Sequence, residues 1–139
     1  MLQPISYLIN GVVTLLYRFR RRPDGTLGAH AIAITPERKI VLVKLRYAKG
    51  WRLPGGGRSE DESLEDAVLR ELREEIGMTG YSRVREAPIG GLLIVDDVRY
   101  RPRKWSWEVE AVSEASIDDL PPDLSRRSRD WLKAARDAL

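Results

Sequence analysis

Three consecutive glycines, Gly55-Gly56-Gly57, stand just upstream of a segment too specific in its spacing to be ordinary helix. Counting from Gly56, five residues lead to Glu62, seven more lead to Arg70, and the chain then reads Arg70-Glu71-Leu72-Arg73-Glu74-Glu75-Ile76-Gly77-Met78 without a break. With average residue usage, nine specified positions coincide on the order of once in 10^9 trials, and a chain of this size offers only about a hundred starting points. Chance does not account for the pattern, so the fold must present a glycine bend and this helix together.

The helix can be read from its periodicity. Leu64, Val68, Leu72 and Ile76, with Leu69, form an apolar stripe, and Gly77 stands where a helix ends. Ser63 with Asp66 resembles a capping box, Ser59 with Glu62 is a competing one, and Ser63 is the favoured start. Glu71, Glu74 and Glu75 lie at i, i+3 and i+4 and share one face. Like charges at this spacing repel by a few tenths of a kcal/mol per pair, roughly, which a hard divalent cation would resolve. The apolar stripe is centred roughly 100° away, so the carboxylates can line a cleft while the helix stays fixed to a core. A solvated acidic patch paired with Arg70 and Arg73 is the alternative. The glycines weigh against it, because they let a backbone carbonyl turn toward a metal and a phosphate come close.

Composition narrows the chemistry further. The 139 residues suit one domain with a genuine core. With no Cys and a single His, His30, the chain has no disulfide, no thiol nucleophile and no thiolate zinc site, so any metal is held by oxygen. Lys and Arg number 24 against 21 acidic residues, a net charge of +3. The pI of about 9.4 suits an anionic ligand but falls short of the footprint expected for a nucleic-acid polymer.

Residues 1–27 read as an amphipathic helix and basic linker, ending in Arg18-Phe19-Arg20-Arg21-Arg22 and a turn at Pro23-Asp24-Gly25. The order of basic and apolar residues is wrong for a secretory signal, and polar interruptions make the run short for a span. The expectation is a helix packed on its own domain or on a twin subunit in a homodimer. A peripheral membrane contact through residues 1–22 is the alternative, and cytoplasmic residence is expected because nothing directs export.

From residue 28 to 139 the pattern is that of one α/β domain. Ala29–Ile34 and Lys39–Leu45 read as a hairpin of two apolar strands about the turn Pro36-Glu37-Arg38. His30, with no second His or Cys nearby, reads as a structural or surface histidine. Apolar runs between Ser82 and Val95 are broken by Pro88 and Gly90-Gly91, and Lys104–Val112 alternates like a half-buried strand. Pro121-Pro122-Asp123 opens a last helix through Leu124, Trp131, Leu132, Ala135 and Leu139.

The segment from Gly56 to Met78 resembles the Nudix box, complete, and the chain is similar to the Nudix hydrolase family over roughly residues 28 to 139. The lead-in Trp51-Arg52-Leu53-Pro54-Gly55-Gly56 and the closing Leu120-Pro121 before a terminal helix extend the likeness. The resemblance implies an α/β/α sandwich with a mixed sheet, Mg2+ or Mn2+ as cofactor, and hydrolysis of a pyrophosphate bond in a nucleoside diphosphate linked to another moiety. It implies Glu71, Glu74, Glu75 and the carbonyl of Gly56 as metal ligands. Glu71, Glu74 and Arg70 then serve catalysis, with a carboxylate accepting the proton of the attacking water. Family members differ in which one does so; Asp96, Asp97, Glu108, Glu110 and Glu114 are the later candidates, with Glu110 or Glu108 preferred. Glu62 either joins the metal site or supports the loop.

Residues Arg52, Gly55, Gly57, Trp105 and Trp107 are the candidates for contacting substrate; Arg99, Arg101, Arg103 and Lys104, with Trp105 and Trp107, could grip phosphate and stack on a base, the alternative being an exposed basic strand edge with the aromatics packed in the core. The stretch from Gly77 to Leu120, which selects substrate in such proteins, is compressed and leaves the leaving group open. Two other readings are a catalytically weak Nudix domain acting as a nucleotide or metabolite sensor, and a module whose N-terminal helix docks on a membrane or partner.

Overall fold

Strand β1 (Gly28–Ala33) sorts its side chains by size onto two faces, and the molecule is built around that division. Ala29, Ala31 and Ala33 are buried in one apolar cluster, whereas Ile32 and the following Ile34 belong to a second. The same alternation runs along β2 (Ile40–Leu45) and β7 (Leu92–Asp96): Val41, Val43, Leu45, Leu93 and Val95 join the first cluster, and Ile40, Leu42, Leu92 and Ile94 the second. A strand buried on both faces reads as a nearly continuous apolar run, which these three show, broken by the partly buried His30 in β1 and Lys44 in β2. The computed structural model describes residues 28–139, and the expectations for the N-terminal helix, its basic linker and its homodimer or membrane contacts lie outside the described residues.

The remaining strands are β3 (Trp51–Arg52), β4 (Gly55–Gly57), β5 (Met78–Gly80), β6 (Arg83–Glu86), β8 (Arg99–Tyr100) and β9 (Val109–Ala115). They form a mixed four-stranded sheet in the order β4-β1-β7-β6, an antiparallel three-stranded sheet β3-β2-β9, and the pair β5-β8. Within the mixed sheet β1 runs parallel to β7 and antiparallel to β4. Helix α1 (Leu64–Ile76) supplies Ala67, Val68, Leu69, Leu72 and Ile76 to the first cluster. Helix α2 (Arg126–Ala135), extended by a 3-10 turn (Arg136–Ala138), supplies Leu132 and Ala135 to the second. Helices thus cover both faces of the strands, the α/β/α arrangement expected. Among the described residues no helix is long and apolar enough to cross a membrane.

Three local expectations are corrected. The segments around Pro36-Glu37-Arg38 are strands, but their hairpin closes only at the bridge between Ile34 and Ile40, after which they part into different sheets. Both edges of β1 are taken by β4 and β7, leaving none for β2. The strand read over Lys104–Val112 begins at Val109, because the hydroxyl of Ser106 accepts from the amides of Glu108 and Val109 and forms a turn there. The last helix starts at Arg126 rather than at the prolines: Pro121 opens a turn whose carbonyl accepts from Leu124, and Ser125 then caps the helix through the Ser128 amide.

Candidate active site

The ends of α1 are fixed by residues whose chemistry suits those positions. Ser63, in extended conformation, accepts a hydrogen bond from the Asp66 amide at 3.1 Å and satisfies one of the open donors of the first turn. Gly77 closes the helix at φ 71°, and a Cβ there would stand 2.0 Å from the carbonyl oxygen of Arg101. Only glycine fits, so the helix stops at this residue. The apolar stripe then fixes the rotation of the helix and decides which glutamates turn inward.

Glu71 and Glu75, one turn apart, are almost wholly buried at 1% and 5% exposure, while the Glu74 side chain is 45% exposed. Glu75 reaches across to the glycine bend, where its Oε2 accepts from the Gly55 amide at 3.0 Å. Gly55 lies opposite His30 in the β1–β4 register and holds φ 154°; a Cβ there would sit 2.4 Å from the Ala29 carbonyl oxygen and 2.5 Å from the His30 ring. The bend can therefore lie flat against β1 only without a side chain at that position.

Arg70 gathers the rest of the box. Its Nε and Nη2 donate to the two oxygens of Glu62 at 2.8 and 2.9 Å, a fork-to-fork pair. Its Nη1 donates to Glu71 at 3.1 Å and to Glu74 at 3.5 Å, and Nη2 also donates to the Gly57 carbonyl at 3.1 Å. The bond to Glu62 above all, and the neighbouring carboxylates, raise the Arg70 pKa beyond its ordinary value, so this group holds charge and position and never exchanges a proton. Glu62 also accepts from the Ser59 amide at 3.2 Å, a bond within the loop.

Glu71, Glu74 and Arg70 are thus brought together, and Glu75 and Gly55 meet beside them. Among the described residues, no three acidic or histidine side chains are grouped closely enough to hold a metal ion by themselves, because Glu75 turns to the Gly55 amide while Glu71 and Glu74 turn to Arg70. Glu110, exposed on β9, and Trp105 and Trp107 make no hydrogen bond, ion pair or ring contact to the box. The two indoles pack edge to face at 4.5 Å, and Arg46 lies 5.3 Å over Trp105 while donating to the Ser106 carbonyl at 2.7 Å. Arg52 is half-buried on β3 opposite Val43, with its Nε buried and making no hydrogen bond.

The later acids have other partners. Asp96 is buried and accepts from Arg85 at 2.8 Å and Arg83 at 3.2 Å, and these bonds, the Arg85 one foremost, hold its carboxyl below the usual range. Asp97 accepts from Ser82 at 2.5 Å. Glu114 accepts from the Tyr100 hydroxyl at 2.6 Å; burial and this bond push the phenol above its ordinary pKa.

On the other face, the hydroxyl of Ser128 accepts from the Leu53 amide at 2.9 Å and ties α2 to the short link between β3 and the glycines. This brings Trp131, one turn further along α2, to within 4.8 Å of the His30 ring.

A family model described as NUDIX domain matches residues 25–135. This chain belongs to the Nudix family. A stretch of 65 residues, 47% of the chain, is 42% identical to a putative 8-oxo-dGTP diphosphatase of Bacillus subtilis (strain 168), and it spans 42% of that relative's length. Among solved structures, a MutT NUDIX hydrolase from Burkholderia pseudomallei matches 77% of the Nudix chain and 95% of its own at 28% identity, with a TM-score of 0.63. An ADP-ribose pyrophosphatase from Streptococcus suis 89-1591 matches 80% of the chain and 89% of its own at 27% identity, with a TM-score of 0.56.

Proposed function

We propose that this Nudix chain is a divalent-metal-dependent pyrophosphohydrolase acting on a nucleoside diphosphate linked to another moiety. The observation that carries the reading is the pair of buried carboxylates, Glu71 and Glu75, on one helix face with Glu75 bonded to the glycine bend. Among the described residues, Arg70 pairs with Glu62, Glu71 and Glu74, and Glu75 adjoins them at the Gly55 amide. Two carboxylates buried on one helix face are costly to hold charged, and an all-oxygen donor set suits a hard cation. The family generally uses divalent ions, and the chain is similar to a putative 8-oxo-dGTP diphosphatase and to an ADP-ribose pyrophosphatase.

Mg2+ or Mn2+, held by Glu71, Glu74, Glu75 and the Gly56 carbonyl, would lower the pKa of a bound water, polarise the phosphoryl oxygens and offset charge on the departing phosphate. The chain's own groups do the rest. Glu74, the exposed member of the three, accepts the proton of the attacking water, with Glu110 as the alternative acceptor. Arg70 fixes the direction of Glu71 and Glu74 and keeps a permanent positive charge beside the anhydride. Gly55 and Gly57 let the diphosphate approach the backbone, and Arg52, with a buried Nε that makes no hydrogen bond, is a cation available to the phosphates.

A second reading, a catalytically weak domain that binds a nucleotide as a sensor, draws on the absence of a preformed three-acid group among the described residues. One experiment separates the two. Phosphate products are measured from a panel of nucleoside diphosphate derivatives with Mg2+ or Mn2+, for wild type beside Glu74→Gln. The hydrolase reading expects turnover in the wild type and a loss of about 10^2-fold or more in the variant; equal rates in both would remove the catalytic assignment.

A further inference from the structure

Two loops meet where β2 ends and β9 begins. The turn after β2 carries Arg46, Tyr47 and Lys49, and the stretch between β8 and β9 carries Arg101, Arg103, Lys104, Trp105 and Trp107. Arg46 fastens one loop to the other: its amide donates to the Glu108 carbonyl at 2.9 Å, its Nε donates to the Ser106 carbonyl at 2.7 Å, and its guanidinium lies 5.3 Å over the Trp105 ring. The Ser106 hydroxyl in turn accepts from the Glu108 and Val109 amides. Held in this way, residues 101–105 are all exposed, and Trp105 and Tyr47 stand in solvent to 54% and 41%. Across residues 46–50 and 101–108 the five cations Arg46, Lys49, Arg101, Arg103 and Lys104 stand against one carboxylate, Glu108. Among the described residues the side chains of Lys49, Arg101, Arg103 and Lys104 make no ion pair and no hydrogen bond.

We propose that this basic, aromatic surface docks the protein on an anionic lipid membrane. Indole and phenol rings settle at the level of the headgroups, apolar body inward and polar edge in water, and Lys and Arg beside them are drawn to the negative charge of the lipid. One exposed indole alone needs no explanation, but an indole accompanied by cations that have no acidic partner, on loops tied by four hydrogen bonds, is a surface shaped for an anionic partner. Two observations favour lipid over nucleic acid. The net charge of the chain is only +3, so the positive charge is local rather than a long stripe. The sequence also repeats the same character just outside the described residues: residues 1–17 carry no charged side chain and are followed by Arg18-Phe19-Arg20-Arg21-Arg22. That segment joins the domain at the same end as the two loops, because β1 and β2 turn back on each other at the bridge between Ile34 and Ile40, which leaves Gly28 and Leu45 together at the opposite end. Gly57 of the glycine bend is opposite Gly28, so a docked chain carries its bend toward the lipid side. The inference goes beyond the hydrolase reading and does not depend on it.

The test is cosedimentation of the full chain with vesicles of phosphatidylcholine alone and of equal parts phosphatidylcholine and phosphatidylglycerol. The wild type is expected to bind the mixed vesicles, to ignore the neutral ones, and to be released as salt screens the charges. Arg103→Gln together with Lys104→Gln, in a chain that keeps residues 1–27, should weaken binding about thirtyfold. Both side chains are exposed and make no bond, so this variant keeps its fold. Trp105→Ala should weaken binding on the order of fivefold, and Trp105→Phe should restore it. Should Trp105→Ala disturb the loop, fluorescence decides: the tryptophan emission of the wild type moves to the blue on mixed vesicles, and that shift is lost in Trp105→Phe while binding remains. No binding of the wild type to mixed vesicles would overturn the proposal. So would a blue shift that persists in Trp105→Phe, or equal binding by the wild type and the double variant, which would transfer the contact to residues 1–22. A single-stranded oligouridylate that binds more tightly than the vesicles and strips the protein from them would overturn it in favour of a nucleic acid. None of these outcomes bears on the hydrolase reading, which is decided by phosphate products.

Discussion

Arg70 is the residue on which the box turns, because it reaches Glu62, Glu71, Glu74 and the Gly57 carbonyl at once. Arg70→Lys keeps the charge but not the fork, and a point charge cannot serve two oxygens of Glu62 and two other carboxylates together. We expect it to cost about 1–2 kcal/mol of stability, read by urea unfolding, and to lower kcat for whichever substrate the panel reveals. Asp96 makes a separate, pH-dependent contribution. Its folded-state pKa lies below the unfolded value, so its stabilisation is fully present above about pH 4 and is lost as pH falls through the lowered folded value. In Asp96→Asn the stability curve should lose that acid limb below about pH 4 and sit about 1–2 kcal/mol lower at pH 7, measured by denaturation at stepped pH. A wild-type acid limb persisting in the variant would move the titrating group elsewhere. The grouping of Glu71 and Glu74 around Arg70 follows from a fixed spacing in the sequence, whereas the pairing of His30 with Gly55 does not. A lone histidine in an alanine-rich strand carries no local sign that its backbone pairs with a glycine far downstream.

At the scale of the element, α1 shows how far periodicity alone can go. Its stripe, its start at Ser63 and its end at Gly77 follow from residue types within one segment, and the structure bears out all three. Ser63→Ala removes the bond to the Asp66 amide and should cost about 1 kcal/mol. Gly77→Ala should cost more, about 2 kcal/mol or above, since the left-handed backbone is strained for alanine and the methyl meets the Arg101 carbonyl. Urea midpoints at unchanged slope check both. The elements misread are those whose limits depend on distant partners. β1 and β2 part because β7 and β4 compete for β1, and α2 begins late because Ser125 caps it and its amide is bonded to the Trp51 carbonyl. Neither competitor is visible from within the segment.

For the whole molecule, the two helices fasten the two clusters onto opposite faces of the strands, and the bond from Leu53 to Ser128 ties α2 to the lead-in to the glycines. Ser128→Ala leaves the buried Leu53 amide without its acceptor and should cost about 1–3 kcal/mol. If Mg2+ or Mn2+ joins the box, adding either at 100 times its dissociation constant should raise global stability by about 2.7 kcal/mol, and Glu71→Gln should abolish most of that gain. Equal stability with and without the ions would count against the box as their site.

The alanines of β1 have a consequence that reaches beyond packing. Ala29, Ala31 and Ala33 present only methyl groups to the cluster that receives α1, so the thinness of that strand acts as a gauge setting how near the acidic helix can come. Widening the gauge with a longer side chain would lift the helix bodily from the strand, and the charged face it carries would be displaced with it. Turnover should therefore register substitutions at Ala29, Ala31 and Ala33, positions remote from any substrate atom.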